Sequence, residues 1–336
     1  MTTKTRIQLR RGNFTDLPTL LAGEAGFALD TATLYVGNGV TNYPIGAVEQ
    51  KVCQGRLTFL TNTPVTHTNI SLATNLYFTP YIGNQISLYT NSKWKMYDFT
   101  QITFDLRAVS WSYNYNYDVF IYDASGTLTL VIIQWASDFV RYIALAYQDG
   151  ILVKSDALNY RYLGTLYGGY RSGYAGIWGY DTVSQRYLYN HYNKVLRHGF
   201  SCPNYNDNNA QTTYAVSAGT TMAALLPYIE FVIGEPNGDV IHSSLTYRAT
   251  VGAAATAHVG IGLDVGSDVR CSAVLATAST IENGNITIPI IAVSGYHSLR
   301  FKAGAVTAAA TFVADDLRYG APADNPASFI TMTYLN

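Results

Sequence analysis

The chain has 336 residues, a formal net charge of −1 and a sequence pI near 6.6, so it lacks the basic footprint of a nucleic-acid or anionic-membrane binder. It is 48% hydrophobic but only 13% charged, about half the roughly 25% of an average soluble domain. With 28 tyrosines and 28 glycines filling the gap, its surface is expected to be neutral, polar and aromatic, which suits contact with further copies of itself; a length above about 250 to 300 residues argues against a single core.

In chain order, residues 1–48 read as a small module of their own. Gly26 to Leu29 and Leu34 to Val36 form two short strands around the polar turn Asp30-Thr-Ala-Thr33, and Gly37-Asn38-Gly39 closes the second strand. A unit this short buries little and needs neighbouring copies or a partner surface. Residues 49–199 carry the strongest hairpin, in which Tyr117 to Asp123 and Thr127 to Ile133 flank Ala124-Ser125-Gly126. Both faces of its first arm are bulky, with Tyr117, Val119 and Ile121 on one side and Phe120 and Tyr122 on the other. Further strands are expected over Ile102 to Arg107, Gly150 to Lys154 and Tyr160 to Leu166. Ser184 to His198 has a helical alternative, because Leu188, Tyr192, Val195 and Leu196 recur at helical spacing and Gly199 is placed to cap it.

From about residue 200 tyrosine thins, Ala and Gly rise, and eight strands follow at short intervals: Tyr228 to Ile233, Val240 to Val251, Thr256 to Leu263, Arg270 to Ala276, Ile286 to Val293, Tyr296 to Lys302, Ala308 to Val313 and Ser328 to Leu335. Turns are expected at Glu235 to Gly238, Glu282 to Asn285 and Ser294-Gly295. This texture predicts a sandwich or jelly roll over residues 200–336. The fold class is therefore all-β: a short N-terminal module, a Tyr-rich middle domain and a jelly-roll-like C-terminal sandwich. No coiled-coil heptads, collagen period or strict repeat is present.

The first module resembles a known family. Arg6-Ile-Gln-Leu-Arg-Arg-Gly12, Leu20-Leu-Ala-Gly-Glu24, Gly26-Phe27, Leu29-Asp-Thr31, Leu34, Val36-Gly37 and Gly39-Val-Thr41 follow in order the pattern of the N-terminal module of many phage fibre and appendage proteins, with Asn38 and Tyr43 as departures. The segments Asn75 to Asn84, Lys93 to Tyr97, Tyr117 to Phe120 and Arg161 to Thr165 are similar to stretches of tailed-phage structural proteins. The C-terminal part resembles trimeric fibre-tip heads only in general texture. The resemblance implies a homotrimeric virion protein docked to other virion proteins through its N-terminal module, with Arg6, Arg10, Arg11 and Phe27 as attachment candidates.

Three functions compete: a tail-fibre or receptor-binding subunit contacting host-surface glycan, a capsid head fibre or decoration protein, and a glycan depolymerase. Depolymerases generally need two carboxylates across a cleft, whereas glutamate occurs only at positions 24, 49, 230, 235 and 282. The aspartates Asp105, Asp118, Asp123 and Asp138 sit in strand or turn contexts. No G-x-S-x-G, H-E-x-x-H or Walker sequence is present, so binding rather than catalysis is expected. Cys53, Cys202 and Cys271 are odd in number and far apart, against a disulfide scaffold or zinc site. Neither a signal-peptide pattern nor an uncharged membrane-length run is seen, so assembly in the host cytoplasm without membrane insertion is expected. No cofactor is expected. His258, within an apolar strand, is the histidine to weigh as a metal ligand against ordinary packing, and Asp264 with Asp268, or Asp315 with Asp316, offer oxygens for Ca²⁺ where solvated turns are the competing reading. The aromatic excess is the most informative feature. Tyr167, Tyr170, Tyr174 and Trp178 lie in a Gly-rich stretch and are the glycan-binding candidates, since tyrosine offers apolar area with a polar tip at low entropic cost. The competing reading has the same rings filling the core or intersubunit contacts.

Overall fold

Apolar residues alternating between turn-forming ones dictate strands throughout, and among the described residues the chain is all-β apart from one 3-10 turn, Phe14–Asp16. The computed structural model describes residues 9–30, 33–45, 51–108, 112–201, 213–216, 220–251, 257–264, 269–275, 281–305, 310–313 and 329–336. Two units emerge, Met1–Lys51 and Val52–Asn336.

The first unit is a four-stranded sheet in the order Arg10–Gly12, Ala25–Ala28, Thr33–Gly37, Asn42–Ile45. The first pair is parallel, with Arg11 opposite Phe27, and the other two are antiparallel. The expected hairpin around Asp30 is present, although Thr31 and Ala32 in its turn lie outside the described residues. Asn38 stops the strand Thr33–Gly37 by accepting the Val40 and Thr41 N–H groups on Oδ1, at 2.9 and 2.7 Å. Its core consists of Leu20, Ala28 and Tyr35, with Leu17 packed against them.

In the second unit the predicted hairpin Asn116–Ala124/Thr127–Gln134 pairs in register from Tyr117↔Gln134 to Ala124↔Thr127. Ser125 and Gly126 connect the arms at φ 54° and 97°, the double left-handed conformation that matches strand twist in a two-residue hairpin loop. This hairpin continues antiparallel into Ala157–Tyr167, followed by Ile151–Lys154 and Leu145–Gln148. Gly55–Thr58, Asn75–Pro80 and Ile102–Asp105 make a three-stranded sheet, and Gln85–Thr90 pairs with Lys93–Asp98. Leu57, Leu76, Phe78, Ile86, Val119, Ile121 and Leu166 meet in one core.

The two largest remaining sheets draw strands from both sides of residue 200. One runs Val269–Leu275, Ala257–Leu263, Gly295–Ala305, Thr220–Ile233, Gln185–Arg186, Gly179–Asp181, Ile70–Ala73. The other runs Leu196–Ser201, Phe329–Leu335, Asp239–Val251, Ala310–Val313, Thr213–Val216, with Ile281–Ala292 added to Asp239–Val251. Their inward residues form one shared core, Ile229, Phe231, Val259, Ile261, Leu299 and Phe301 against Ile241, Leu245, Ile290, Ile330, Met332 and Tyr334, the arrangement of two sheets packed face to face. All eight C-terminal strands are found, and the expected boundary at residues 199 and 200 is crossed by strand pairing within a single unit.

Two local expectations are corrected. Ser184 to His198 is not helical: it contributes Gln185–Arg186, Leu188–Asn190 and the start of Leu196–Ser201. Tyr187 and Tyr189 point into the sandwich core while Leu188 points into the other core. That is a period of two, concealed in the sequence because both faces are apolar. Glu282 to Asn285 is not a turn but part of the strand Ile281–Ala292. Gly284 sits under the Tyr247 ring, where a Cβ would lie 2.3 Å from the phenol oxygen, so this glycine makes room for an aromatic side chain.

Candidate functional site

The Gly-rich aromatic stretch begins where Ala157–Tyr167 ends. Gly168 accepts the Asn114 N–H at 2.7 Å, and Gly169 exchanges backbone hydrogen bonds with Trp178 at 2.9 and 3.1 Å, closing residues 170–177 into a loop. A side chain at Gly169 would meet the Tyr180 ring at 2.3 Å, so only glycine allows this closure. The base of the loop is fixed by Ile177, which is fully buried, and by the Tyr180 hydroxyl donating to the Tyr170 carbonyl at 3.0 Å.

The structure divides the four sequence candidates. Tyr170 and Tyr174 are 48% and 57% exposed on the loop, whereas Tyr167 and Trp178 are only 8% and 3% exposed. Tyr170 packs against Tyr113, at 4.4 Å between ring centroids, and Tyr174 stands edge-on to Trp178 at 5.8 Å. The Arg171 guanidinium lies over both, 4.0 Å from the Tyr174 centroid and 4.6 Å from that of Trp178. Trp178 therefore supports the loop from below. Tyr167 belongs elsewhere, stacked on Tyr296 at 4.1 Å within the sandwich core. Sequence reasoning missed Tyr113 and Arg171. Arg171 had a signal, being the only charged residue between positions 162 and 180; Tyr113 comes from a distant segment and had none.

Several carboxylates of the second unit are engaged in other networks. Glu230 accepts from the Tyr187 hydroxyl at 2.6 Å, from Gln185 at 3.0 Å and from the Tyr296 hydroxyl. Burial, reinforced by the Glu230 charge, pushes the Tyr187 and Tyr296 phenols far above their ordinary value, so both remain neutral donors. Glu235 and Asp239 flank the predicted turn and share Lys194, at 3.3 and 3.2 Å, and the Tyr189 hydroxyl, at 3.2 and 3.1 Å. Burial would raise the Glu235 carboxyl, but His191 and Lys194 outweigh it and hold it at about 2.

Asp118, inside the middle sheet, accepts from Arg141 at 2.8 Å and from the Thr165 hydroxyl at 2.7 Å. Desolvation pulls the Arg141 guanidinium down, yet the adjoining Asp118 charge more than compensates and holds it above its usual range. Asp181 binds Arg186 at 2.7 Å and Arg197 at 2.5 Å, next to a small cavity that Arg56 also lines. Burial, and then the Arg197 charge, lower Arg56 to about 10 against the opposing pull of Asp181.

Among the described residues no three His, Cys, Asp or Glu side chains converge as a metal site. His258 is half-buried. Asp264 is turned toward His297, at 3.1 Å, and the Ser298 N–H, at 2.9 Å; Asp268, Asp315 and Asp316 lie outside the described residues. Cys53 is a buried free thiol. In the first unit Arg10 is exposed and pairs with Glu24 at 2.8 Å, Arg11 is exposed, and Phe27 is half-buried. Arg6 lies outside the described residues. Among those residues no helix is long and apolar enough to cross a membrane.

Similarity to solved structures is slight. Dimeric latent PorU from Porphyromonas gingivalis aligns at 8% identity and TM-score 0.25 over 65% of this chain and 19% of its own. The T13 particle of infectious bursal disease virus aligns at 10% identity and TM-score 0.27 over 79% of this chain and 63% of its own. The Gx strain of that virus aligns at 13% identity and TM-score 0.22 over 80% and 81%. The chain thus spans about a fifth of the PorU chain and under two thirds of the T13 chain, and TM-scores this low do not establish a common fold. No curated protein matches the chain. The first unit is where a family is met: residues 7–41 match the major tropism determinant N-terminal domain, which supports a phage fibre-like, virion-associated protein.

Proposed function

We propose that the chain is a phage receptor-binding or tail-fibre subunit, fastened to the particle by its first unit and contacting host-surface glycan through the loop 169–178. The observation that carries this reading is the division of labour between exposed and buried rings. Tyr170 and Tyr174 face solvent on a closed loop, with the exposed Tyr113 beside Tyr170, while Trp178 and Ile177 hold that loop in place. Rigid exposed tyrosines stack on the apolar faces of sugars with little entropy to lose. The match at residues 7–41 supports attachment to a virion, and Arg10, Arg11 and Phe27 are the groups assigned to that attachment, together with Arg6.

The chain acts as a homotrimer with a jelly-roll-like head formed by the two facing sheets, because low charge and exposed apolar side chains are better satisfied when neighbours cover them. It works by binding rather than catalysis: Glu230, Glu235 and Asp118 are each occupied by hydroxyl or cationic partners. Adsorption of particles carrying Tyr170→Ala with Tyr174→Ala tests the reading. The expected result is a loss of adsorption of at least ten-fold with normal particle assembly; unchanged adsorption overturns it. Light scattering of the purified protein should give three times the chain mass. Labelling the subunit on intact particles separates tail from capsid.

A further inference from the structure

We propose that the loop selects an anionic glycan, Arg171 reading a carboxylate or phosphate while an adjoining sugar face lies on Tyr170 and Tyr174. This rests on the reading of the loop as a glycan-contact surface and adds the class of sugar. The argument starts from how Arg171 is held. Its guanidinium is fixed by ring faces, 4.0 Å from the Tyr174 centroid and 4.6 Å from that of Trp178. The two rings stand nearly perpendicular, 81° apart, and ring faces offer a guanidinium no oxygen acceptor, so its N–H groups stay available for the paired oxygens of a carboxylate or phosphate.

No carboxylate or hydrogen-bond acceptor within the described residues takes up those N–H groups. Several other cations of the second unit are instead paired with carboxylates. Arg141 meets Asp118, Arg186 and Arg197 meet Asp181, Lys194 meets Glu235 and Asp239, and Lys154 meets Asp156. Arg171 is thus positioned without being neutralised.

The surroundings favour the same sign of ligand. Residues 106–117 and 162–180, which supply Tyr113 and the loop, contain no Asp or Glu, so an incoming anion meets no like charge from them. A second cation lies close by: the Arg107 backbone passes 3.1 Å from where a Gly176 Cβ would stand, and its side chain meets Asp105 at 3.7 Å, with both groups about half exposed. Trp178 is pinned by its backbone pair with Gly169, so the stack beneath Arg171 is pre-organised and little ordering is left to the binding step.

The test uses the full-length protein in its native assembly on an array pairing carboxylated and phosphorylated oligosaccharides with their carboxyl-reduced and dephosphorylated counterparts. We expect the charged member of at least one pair to bind ten-fold or more tighter, and that preference to weaken as salt rises while binding to neutral members stays constant. Arg171→Gln should bring the charged and neutral members of the pair to parity, and Arg171→Lys, which keeps charge but loses the planar fork, should restore only part of the preference. Which pair responds distinguishes carboxylate from phosphate. Equal wild-type binding within every pair, lost in Tyr174→Ala, overturns the anion selectivity and leaves the glycan surface standing. Absence of binding to every saccharide overturns both.

Discussion

The first unit and the second solve the same problem of burying strands with unequal means. The first closes a four-stranded sheet over Leu20, Ala28 and Tyr35 and leaves Leu21 and Val40 71% and 81% exposed. The second packs its sheets around two extensive cores and carries buried charge networks in addition. A small unit exposes more of its chain per residue than a large one. The apolar surface that the first unit cannot hide is what a docking partner would cover, whereas the second can support an exposed aromatic loop without losing its fold.

That comparison breaks if the units depend on each other. Residues 52–336 expressed alone should give a cooperative thermal transition by circular dichroism, while residues 1–51 alone should give none; a sharp melt from the short piece would remove the need for a partner. Next in size, Asp118→Ala strands the Arg141 guanidinium among buried groups. It should cost about 3 to 5 kcal/mol in denaturant unfolding, far above the effect of an exposed pair such as Lys154 with Asp156.

Cavities sharpen the contrast further. Phe231→Ala, emptying the sandwich core, should cost about 3 to 5 kcal/mol in the unfolding of the second unit, while Leu20→Ala should leave that transition unchanged and reduce incorporation into particles. Acid provides a smaller and graded test. The Glu235 carboxyl is depressed from its ordinary value to about 2, so its contribution is complete above about pH 4.5 and is lost as pH falls through 2. The effect is on the order of 2 kcal/mol, and Lys194→Met should flatten the acid limb of stability against pH. The smallest expected effect is at the hairpin turn, where Gly126→Ala imposes a Cβ at φ 97° and should cost about 1 kcal/mol.

Much of the architecture was legible because it is local. Strand alternation located the hairpin at 117–133 and eight C-terminal strands but missed Thr213–Val216, and the ordered motif from Arg6 to Thr41, which resembles a phage-appendage module, covers the residues 7–41 that match a tropism-determinant N-terminal domain. Where both faces of a strand are buried the alternation vanishes, and Tyr187 to Asn190 therefore shared its spacing with a helix. Gly284 looked like a turn residue because the Tyr247 ring that requires it comes from another strand. The site was half legible. A Gly-rich stretch full of aromatic rings marks a loop, but the stretch does not say which rings face water.

Composition, alternation and turn chemistry by themselves determined an all-β chain with a short N-terminal module and an aromatic loop, since each depends on neighbours within a few residues. Tertiary structure alone decided that Tyr170 and Tyr174 are exposed while Tyr167 and Trp178 are buried, that Tyr113 joins them, and that Arg171 is held by rings instead of an acid. Those outcomes depend on which distant strands come to lie beside the loop, and burial is a property of that assembly rather than of any one segment.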